Sequence, residues 1–197
     1  MDGFSAYGSR IPLTFQIAAI LLAAGRGSRF GGGKLAAMLA GKPLACHAAD
    51  RLAALPFARH IAICSDDTPN LPGFERIMLS PPGAPLSRSI ATAVAALQTE
   101  TAALIALADM PLVPTAHFTA LLSAFDGDRV ASGVAGHCMV PAMFGSQHFD
   151  VLSTLQGDRG AGALLRDGPV VTLDPQLALD IDTQGDLMLA EQTLGKR

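Results

Sequence analysis

Short, continuously apolar runs alternate along the chain with stretches in which apolar residues recur at helical spacing. The run Ile17–Ala24 contains no polar residue and ends at a glycine, which is typical of a parallel strand buried on both faces. Other short apolar runs end at polar or proline-rich turns and predict further strands. These predicted strands lie at 60–65, 76–80, 102–108, 129–134, 139–144, 169–174 and 177–182. Because Pro141 cannot donate a hydrogen bond to a neighbour, 139–144 is predicted at an edge of the sheet.

Helical spacing predicts the elements between these strands. The predicted helices lie at 43–55, 87–98, 114–125, 145–155, 160–168 and 183–194. Pro43 stands in the first turn of one helix, Ser87 or Ser89 can cap another, and Thr183 can cap the last. Strands that alternate with helices predict an α/β sandwich around a mainly parallel sheet.

Length and composition restrict the classes of function. With 197 residues and no repeat or linker, the chain is expected to form one domain at 17–197 after a short extension at 1–16. A net charge of −3 gives no overall basic surface, which argues against nucleic-acid binding. Cys46, Cys64 and Cys138 are odd in number and widely spaced, so neither a disulfide framework nor a zinc site is expected. The apolar runs are too short for a bilayer and no signal-peptide pattern is present, so we expect a cytoplasmic protein without a membrane partner.

Two loops are predicted to meet at one edge of the sheet. One follows Ala24 and the other surrounds Asp109, and each comes directly after a buried strand. Ligands of parallel sheets bind beyond the carboxyl ends of the strands. We therefore expect both loops to line one site.

The first of these loops is rich in glycine and carries three cations, Arg26, Arg29 and Lys34. A Walker-type phosphate loop requires glycine where the chain has Ser28 and a hydroxyl where it has Leu35. A dinucleotide-binding turn needs its third glycine one position earlier and does not require the cations. Neither motif explains the loop.

The stretch "LAAGRGSRFGGGKL" resembles the LAAGxGxRxGxxK signature of the MobA-like nucleotidyltransferases. The matching positions are Leu22, Ala23, Ala24, Gly25, Gly27, Arg29, Gly31 and Lys34. The resemblance implies a Rossmann-like nucleotide-diphospho-sugar transferase (GT-A-like) fold, a three-layer α/β/α sandwich with a mainly parallel mixed sheet. It also implies that a nucleoside triphosphate binds at the loop. The implied nucleotide-binding residues are Leu22, Ala23, Ala24, Gly25, Arg26, Gly27, Gly83 and Ser89, the last two from "PPGAPLSRS".

The same resemblance assigns the acidic residues. "ALADMPLV" is similar to the family segment in which an aspartate, here Asp109, coordinates Mg²⁺, although an aspartate before proline can also simply cap a turn. "LDIDTQGDL" is similar to the family's DIDTPEDL ending. Asp180 and Asp182 alternate on a segment predicted as extended, so they share a face. Asp182 is favoured as the second metal ligand and Asp180 is the alternative.

A longer stretch resembles one branch of the family, the molybdenum cofactor cytidylyltransferases. "PAMFGSQHFDVLSTLQGDRGAGALLR" follows that branch's order of PVLF, a short helix, GDxGA and LL. The implied acceptor side includes Asp158, Arg159 and Asp180, with Arg166 nearby and a loop at 133–138 that could cover the acceptor. The wider spacing between glycine and the proline of "GHCMVP" departs from the branch and puts the pterin contacts in doubt.

The resemblance implies a Mg²⁺-dependent transfer of CMP from CTP to a molybdopterin-type acceptor. Lys34 would contact the α-phosphate and Arg29 the β- and γ-phosphates, while Asp109 would hold the metal. CTP is expected because the guanylyltransferase branch reads LAGG where this chain has "LAAG". A target molybdenum oxidoreductase or its maturation chaperone would be a partner. The alternatives are a guanylyltransferase, another CTP or sugar-phosphate nucleotidyltransferase, and a non-catalytic cofactor-binding chaperone.

Overall fold

A computed structural model describes residues 16–25, 27–157 and 160–195. The strands are β1 (Ile17–Ala23), β2 (Met38–Leu39), β3 (Lys42–Pro43), β4 (Arg59–Cys64), β5 (Glu75–Met78), β6 (Ala102–Leu107), β7 (Arg129–Val134), β8 (His137–Gly145) and β9 (Val170–Thr172). The α-helices are α1 (Leu44–Ala53), α2 (Leu86–Ala95), α3 (Thr115–Ala124), α4 (Phe149–Ser153) and α5 (Gln184–Gly195). Short 3-10 turns lie at Ser28–Phe30, Lys34–Ala36, Ser146–His148 and Ala161–Leu165.

Seven strands form one mixed sheet in the order β5-β4-β1-β6-β8-β7-β9. β1 pairs in parallel with β4 and β6, β4 pairs in parallel with β5, and β9 pairs in parallel with β7. β8 is antiparallel to both of its neighbours. Helices cover both faces, which confirms the predicted α/β/α sandwich with a mainly parallel sheet.

The position of β1 in the centre of the sheet explains why its sequence does not alternate between apolar and polar residues. Every residue of β1 is buried because the sheet has a core on each face. Leu21 and Ala23 face the core built with α1 and α3, whereas Ile20 and Leu22 face the core built with α2 and α4. The strand therefore leaves its last residues on two different sides of the sheet.

The edge position predicted for 139–144 is wrong, because β8 lies inside the sheet between β6 and β7. The register between β7 and β8 shifts at this point: Ala131 pairs with Ala142, but the next residue, Ser132, pairs with Met139. Pro141 therefore has no partner in β7. The Ser132 hydroxyl donates a 2.6 Å hydrogen bond to the Pro141 carbonyl at this irregularity. A β-bulge thus accommodates an interior proline.

Several boundaries also differ from the predictions. The residues at 177–182 form a turn and an irregular segment instead of a strand, and 160–168 forms only a 3-10 turn. The predicted covering loop at 133–138 is a β-hairpin, whose strands reach Val134 and resume at His137.

Helix starts were predicted with mixed success. Neither Ser87 nor Ser89 caps a helix, since α2 begins at Leu86 and both hydroxyls lie buried within its first turn. Pro43 precedes α1 instead of standing in its first turn. The cap by Thr183 is confirmed, because its hydroxyl accepts a 3.2 Å hydrogen bond from the Asp186 N–H.

Candidate active site

A cleft of about 390 Å³ opens at the carboxyl ends of β1 and β6. Its lining comes from the end of β1, the glycine loop, the start of α2, the end of β6 and the segment before α5. The lining residues are Leu22, Ala24, Gly25, Gly27, Arg29, Lys34, Leu35, Ala84, Leu86, Ser89, Leu107, Asp109, Asp180 and Asp182. The structure therefore brings both predicted loops, and both C-terminal aspartates, to one site.

Left-handed backbone shapes the glycine loop. Gly27 has a φ of +54° and its carbonyl accepts hydrogen bonds from the N–H groups of Phe30 and Gly32. A Cβ on Gly27 would lie 3.0 Å from Lys34 Cβ, closer than carbon atoms pack without displacement. Glycine at this position therefore closes the turn and lets the loop backbone lie directly against Lys34.

Lys34 is the charged centre of the cleft. Its side chain is only 5% exposed, and Nζ lies 2.7 Å from Asp109 Oδ2 and 3.0 Å from Asp182 Oδ1. Asp180 Oδ1 is 3.9 Å away. Arg29 contacts the other oxygen of Asp182 at 3.1 Å, but its side chain is 77% exposed. One buried cation and one exposed cation thus face the same cleft.

The close charges shift two pKa values. Burial alone would lower the pKa of Lys34, but the carboxylates of Asp109, Asp182 and Asp180 outweigh it and raise that pKa above its ordinary value. Burial raises the pKa of Asp180 to about 7, reinforced by the negative charges of Asp109 and Asp182 and opposed by Lys34. The cleft therefore holds a charged lysine beside one aspartate that ionises near neutral pH.

Backbone hydrogen bonds fix the two C-terminal aspartates. The Ile181 N–H donates to the Asp109 carbonyl at 3.0 Å, which joins this segment to the end of β6. The Asp186 carboxylate accepts from the N–H groups of Asp182 and Thr183 at 3.1 and 2.7 Å. Together with the Thr183 cap this forms a capping box at the start of α5. Asp180 and Asp182 therefore reach the cleft without belonging to a strand.

The carboxylates fit a divalent cation in their chemistry. All three supply oxygen ligands, which Mg²⁺ prefers, and Asp109 Oδ1 is buried without a hydrogen-bond partner among the described residues. An unpaired buried carboxylate oxygen is costly unless a cation or donor satisfies it. Within the described ranges, no group of three His, Cys, Asp or Glu residues is already arranged as a metal site. The Lys34 ammonium instead lies among these carboxylates.

Some predicted nucleotide-binding residues do not line the cleft. Ala23 is wholly buried on the opposite face of the sheet, and its carbonyl accepts a 2.6 Å hydrogen bond from the Thr68 hydroxyl. Gly83 lines a neighbouring cavity of about 620 Å³ together with Ser87. Arg26 lies outside the described residues. Ser89 does line the cleft.

The predicted acceptor side is only partly described, because Asp158 and Arg159 lie outside the described residues. Asp180 lines the main cleft beside Lys34. Arg166 lines a separate cavity of about 730 Å³ between the β7–β8 hairpin and the 3-10 turn at 161–165, together with Cys138. A Cβ on Gly160 would lie 3.2 Å from Leu86 Cδ2, so this cavity borders the main cleft where α2 begins.

Sequence reasoning missed the apolar lining of the cleft. Leu86, Leu107 and Ala84 form part of its wall, and Leu35 packs at the base of the loop. Leu107 could have been found, since it lies two residues before Asp109 at the end of a predicted strand. Ala84 and Leu86 could not have been found from the sequence, because the path of the proline-rich stretch that leads into α2 depends on tertiary packing. Among the described helices, none is long and apolar enough to cross a bilayer.

A known family matches most of the chain. The sequence profile of the MobA-like NTP transferase domain matches residues 19–174, which include most of β1, the glycine loop and Asp109. No curated protein matches the chain by sequence.

Solved structures share the fold at low identity. Rv0371c from Mycobacterium tuberculosis has a TM-score of 0.80 at 21% identity over 90% of this chain and 98% of its own. Rv0371c has also been solved in complex with manganese. A nucleotidyl transferase from Methanothermobacter has a TM-score of 0.74 at 22% identity over 92% of this chain and 99% of its own. Molybdopterin-guanine dinucleotide biosynthesis protein A from Archaeoglobus fulgidus has a TM-score of 0.67 at 21% identity over 91% of this chain and 100% of its own.

Proposed function

The chain belongs to the MobA-like NTP transferase family, and we propose that it transfers CMP from CTP to the terminal phosphate of molybdenum-loaded molybdopterin. Pyrophosphate is the second product. The observation that carries the proposal is the buried Lys34 ammonium, held with three carboxylates beside a glycine loop at the end of β1. The transferring domain is 17–197, preceded by the extension at 1–16.

The reaction is an in-line displacement at the α-phosphorus. An oxygen of the acceptor phosphate forms the new bond to phosphorus as the bond to the β-phosphate oxygen breaks, and the electron pair leaves with pyrophosphate. Lys34 contacts the α-phosphate and stabilises the charge that develops on its oxygens. Arg29, whose side chain is exposed, contacts the β- and γ-phosphates, for which a planar guanidinium is well suited.

Asp109 and Asp182 would hold a divalent cation, with Asp180 beside them. The cation would supply positive charge that neutralises the triphosphate. The manganese complex of Rv0371c supports the use of a divalent metal in this fold. The protein's own contribution is to align two polyanions that would otherwise repel each other.

The choice of CTP rests on Ala24. The methyl group of this residue lines the cleft at the end of β1, whereas that of Ala23 faces the opposite core. A methyl group where the guanylyltransferase branch has glycine narrows the space for a base, which favours a pyrimidine over a purine. Ser89, at the start of α2, lines the same cleft and would contact the base.

The acceptor and partners follow from the resemblance to the cytidylyltransferase branch. A pterin acceptor would enter beside the 3-10 turn at 161–165, with Arg166 and the residues at 158 and 159 on its side. Its product would be delivered to a molybdenum oxidoreductase or to that enzyme's maturation chaperone. We place the reaction in the cytoplasm, where the free thiols of Cys46, Cys64 and Cys138 stay reduced.

Pyrophosphate release tests the proposal. CTP and GTP are each tested as the nucleotide with three acceptors in turn: molybdenum-loaded molybdopterin, methylerythritol phosphate and a sugar 1-phosphate. We expect release from CTP with the pterin acceptor alone. A preference for GTP would assign the chain to the guanylyltransferases. Turnover with one of the other acceptors would show that the acceptor is not a pterin. CTP binding that does not depend on metal, without turnover, would favour a cofactor-binding chaperone.

A further inference from the structure

Lys34 occupies the point on which the acidic side chains of the cleft converge. Its ammonium contacts Asp109 and Asp182 at 2.7 and 3.0 Å and lies 3.9 Å from Asp180. The Lys34 side chain is 5% exposed, whereas those of Asp180 and Asp182 are 45% and 43% exposed, so Lys34 meets these carboxylates from the buried side of the cleft. Lys34 therefore offsets the electrostatic repulsion among these carboxylates in the folded protein.

A divalent cation would need the same carboxylates, including Asp109, whose Oδ2 Lys34 contacts and whose buried Oδ1 has no hydrogen-bond partner among the described residues. An ammonium and a divalent cation repel each other strongly in a half-buried cleft, where charges are poorly screened. Contact of both cations with Asp109 and Asp182 would bring these like charges close together, which costs free energy. Lys34 and the metal thus compete for one set of ligands.

A long side chain makes the exchange possible without unfolding the loop. Lys34 is the first residue of a 3-10 turn whose N-cap is Gly33, and its four-carbon side chain lies in the cleft that the glycine loop surrounds. Rotation within that cleft can carry Nζ from the carboxylates to a bound triphosphate. Arg29 can stay on the outer oxygen of Asp182 during this exchange.

We infer that Lys34 is an internal counter-ion that a divalent cation must displace, and that this displacement delivers the lysine to the nucleotide. The inference rests on the proposed function in that it takes Asp109 and Asp182 as the metal ligands. It follows that metal binds weakly to the nucleotide-free protein. The metal and the triphosphate then bind cooperatively, because the triphosphate takes over the lysine that the metal releases.

Metal binding without nucleotide tests the inference directly. Free Mn²⁺ is measured by electron paramagnetic resonance during titration of the wild type, Lys34→Gln and Lys42→Gln. Lys42 is a matched control, since it pairs with Asp50 away from the cleft and its loss changes the net charge equally. We expect Lys34→Gln to bind Mn²⁺ about tenfold more tightly or better, because its carboxylates have lost their competitor, and Lys42→Gln to stay within about twofold of the wild type.

A measurement on the wild type covers the case in which Lys34→Gln does not fold. The chain contains only three lysines, Lys34, Lys42 and Lys196, so ¹⁵N-lysine NMR can follow each ammonium group. We expect the Lys34 signal to shift on addition of Mg²⁺, while the other two do not change. A Lys34 signal that ignores saturating Mg²⁺ would overturn the inference.

The failures can be told apart. Equal Mn²⁺ affinity in the wild type and Lys34→Gln would overturn the counter-ion role alone. No Mn²⁺ binding by either protein would overturn it together with the metal assignment. Transfer of CMP, measured by pyrophosphate release, decides the proposed function independently of both results.

Discussion

The Ile181 N–H donates a 3.0 Å hydrogen bond to the carbonyl of Asp109. This bond joins the segment before α5 to the loop after β6, so the acidic side chains on either side of Ile181 are held in register with Asp109. Two distant parts of the chain thereby act as one group of carboxylates around Lys34.

Removal of the central ion pair should abolish turnover. We expect Lys34→Ala and Asp109→Ala each to lower kcat at least about a hundredfold, because each variant removes charge from the reacting phosphate or its metal. The rate of pyrophosphate release from CTP measures the effect. Lys42→Ala, which alters an exposed pair with Asp50, should retain normal turnover. Near-normal activity of a folded Lys34→Ala protein would refute the site assignment.

Ala24→Gly should relax the choice of base. Loss of one methyl group from the cleft wall opens space for a purine, so the ratio of kcat/KM for CTP over GTP should fall about tenfold or more. The ratio is measured with the same acceptor for both nucleotides.

Ala23→Gly is the matched control for that experiment. It removes the same methyl group from the opposite, fully buried face of the strand. We expect it to reduce stability and leave the nucleotide ratio unchanged. A similar change of ratio in both variants would mean that strand flexibility, and not space beside the base, sets the preference.

Gly27→Ala should reduce activity more than its backbone strain explains. Gly27 and Gly33 have nearly the same left-handed conformation, with φ of +54° and +61°, so alanine at either position should cost about 1–2 kcal/mol of stability. A Cβ on Gly27 would lie 3.0 Å from Lys34 Cβ, whereas a Cβ on Gly33 would meet nothing within 4 Å beyond its own chain neighbours. We expect kcat to fall at least about tenfold in Gly27→Ala and little in Gly33→Ala, with thermal unfolding as the check on stability. Equal losses of kcat would show that loop strain alone matters.

Asp186→Ala should weaken metal binding in the cleft, although Asp186 does not line the cleft itself. It removes the carboxylate that accepts from the Asp182 and Thr183 N–H groups, so we expect a loss of about 1 kcal/mol in stability and a rise in the metal concentration needed for activity. Glu191→Ala removes the same charge from an exposed position on the same helix and should change neither quantity. Metal dependence unaltered by Asp186→Ala would mean that Asp182 is held in place without the capping box.

Asp180 should make the metal-free protein less stable as the pH rises. Its pKa is about 7 in the folded protein and ordinary in the unfolded chain, so its ionisation opposes folding progressively from about pH 4 to 7 and fully above that. Asp180→Asn removes this penalty and should raise Tm more at pH 8 than at pH 5, measured without metal or nucleotide. Asp67→Asn, at an exposed turn, should show no such pH dependence. An equal change in Tm at both pH values would contradict the raised pKa.

The parallel half of the sheet could be predicted because its strands are buried on both faces. A continuous apolar run as short as Ile17–Ala24 is typical of a buried strand, and β1 confirms this prediction. The edge position of Pro141 was predicted wrongly because a bulge that repairs the missing N–H leaves no pattern in the sequence. The cap at Thr183 was predictable because its partner, Asp186, is local.

Some features of the candidate site could likewise be predicted from the sequence, and others could not. Lys34, Arg29 and Asp109 could be predicted to share a cleft because they follow strands whose ends meet at one edge. The irregular path at 177–182 could not, since it depends on the long-range bond to the Asp109 carbonyl. The different orientations of Ala23 and Ala24 became clear only once the sheet had a core on each side.

The carboxylates around Lys34 come from positions 75 and 148 residues further along the chain. A chain emerging from the ribosome completes β1 and the glycine loop before Asp109 and Asp182 are synthesised. The lysine would be left without its full set of carboxylates throughout that interval. Metal and nucleotide binding therefore require a chain that has been synthesised at least as far as Asp182 and has folded around Lys34.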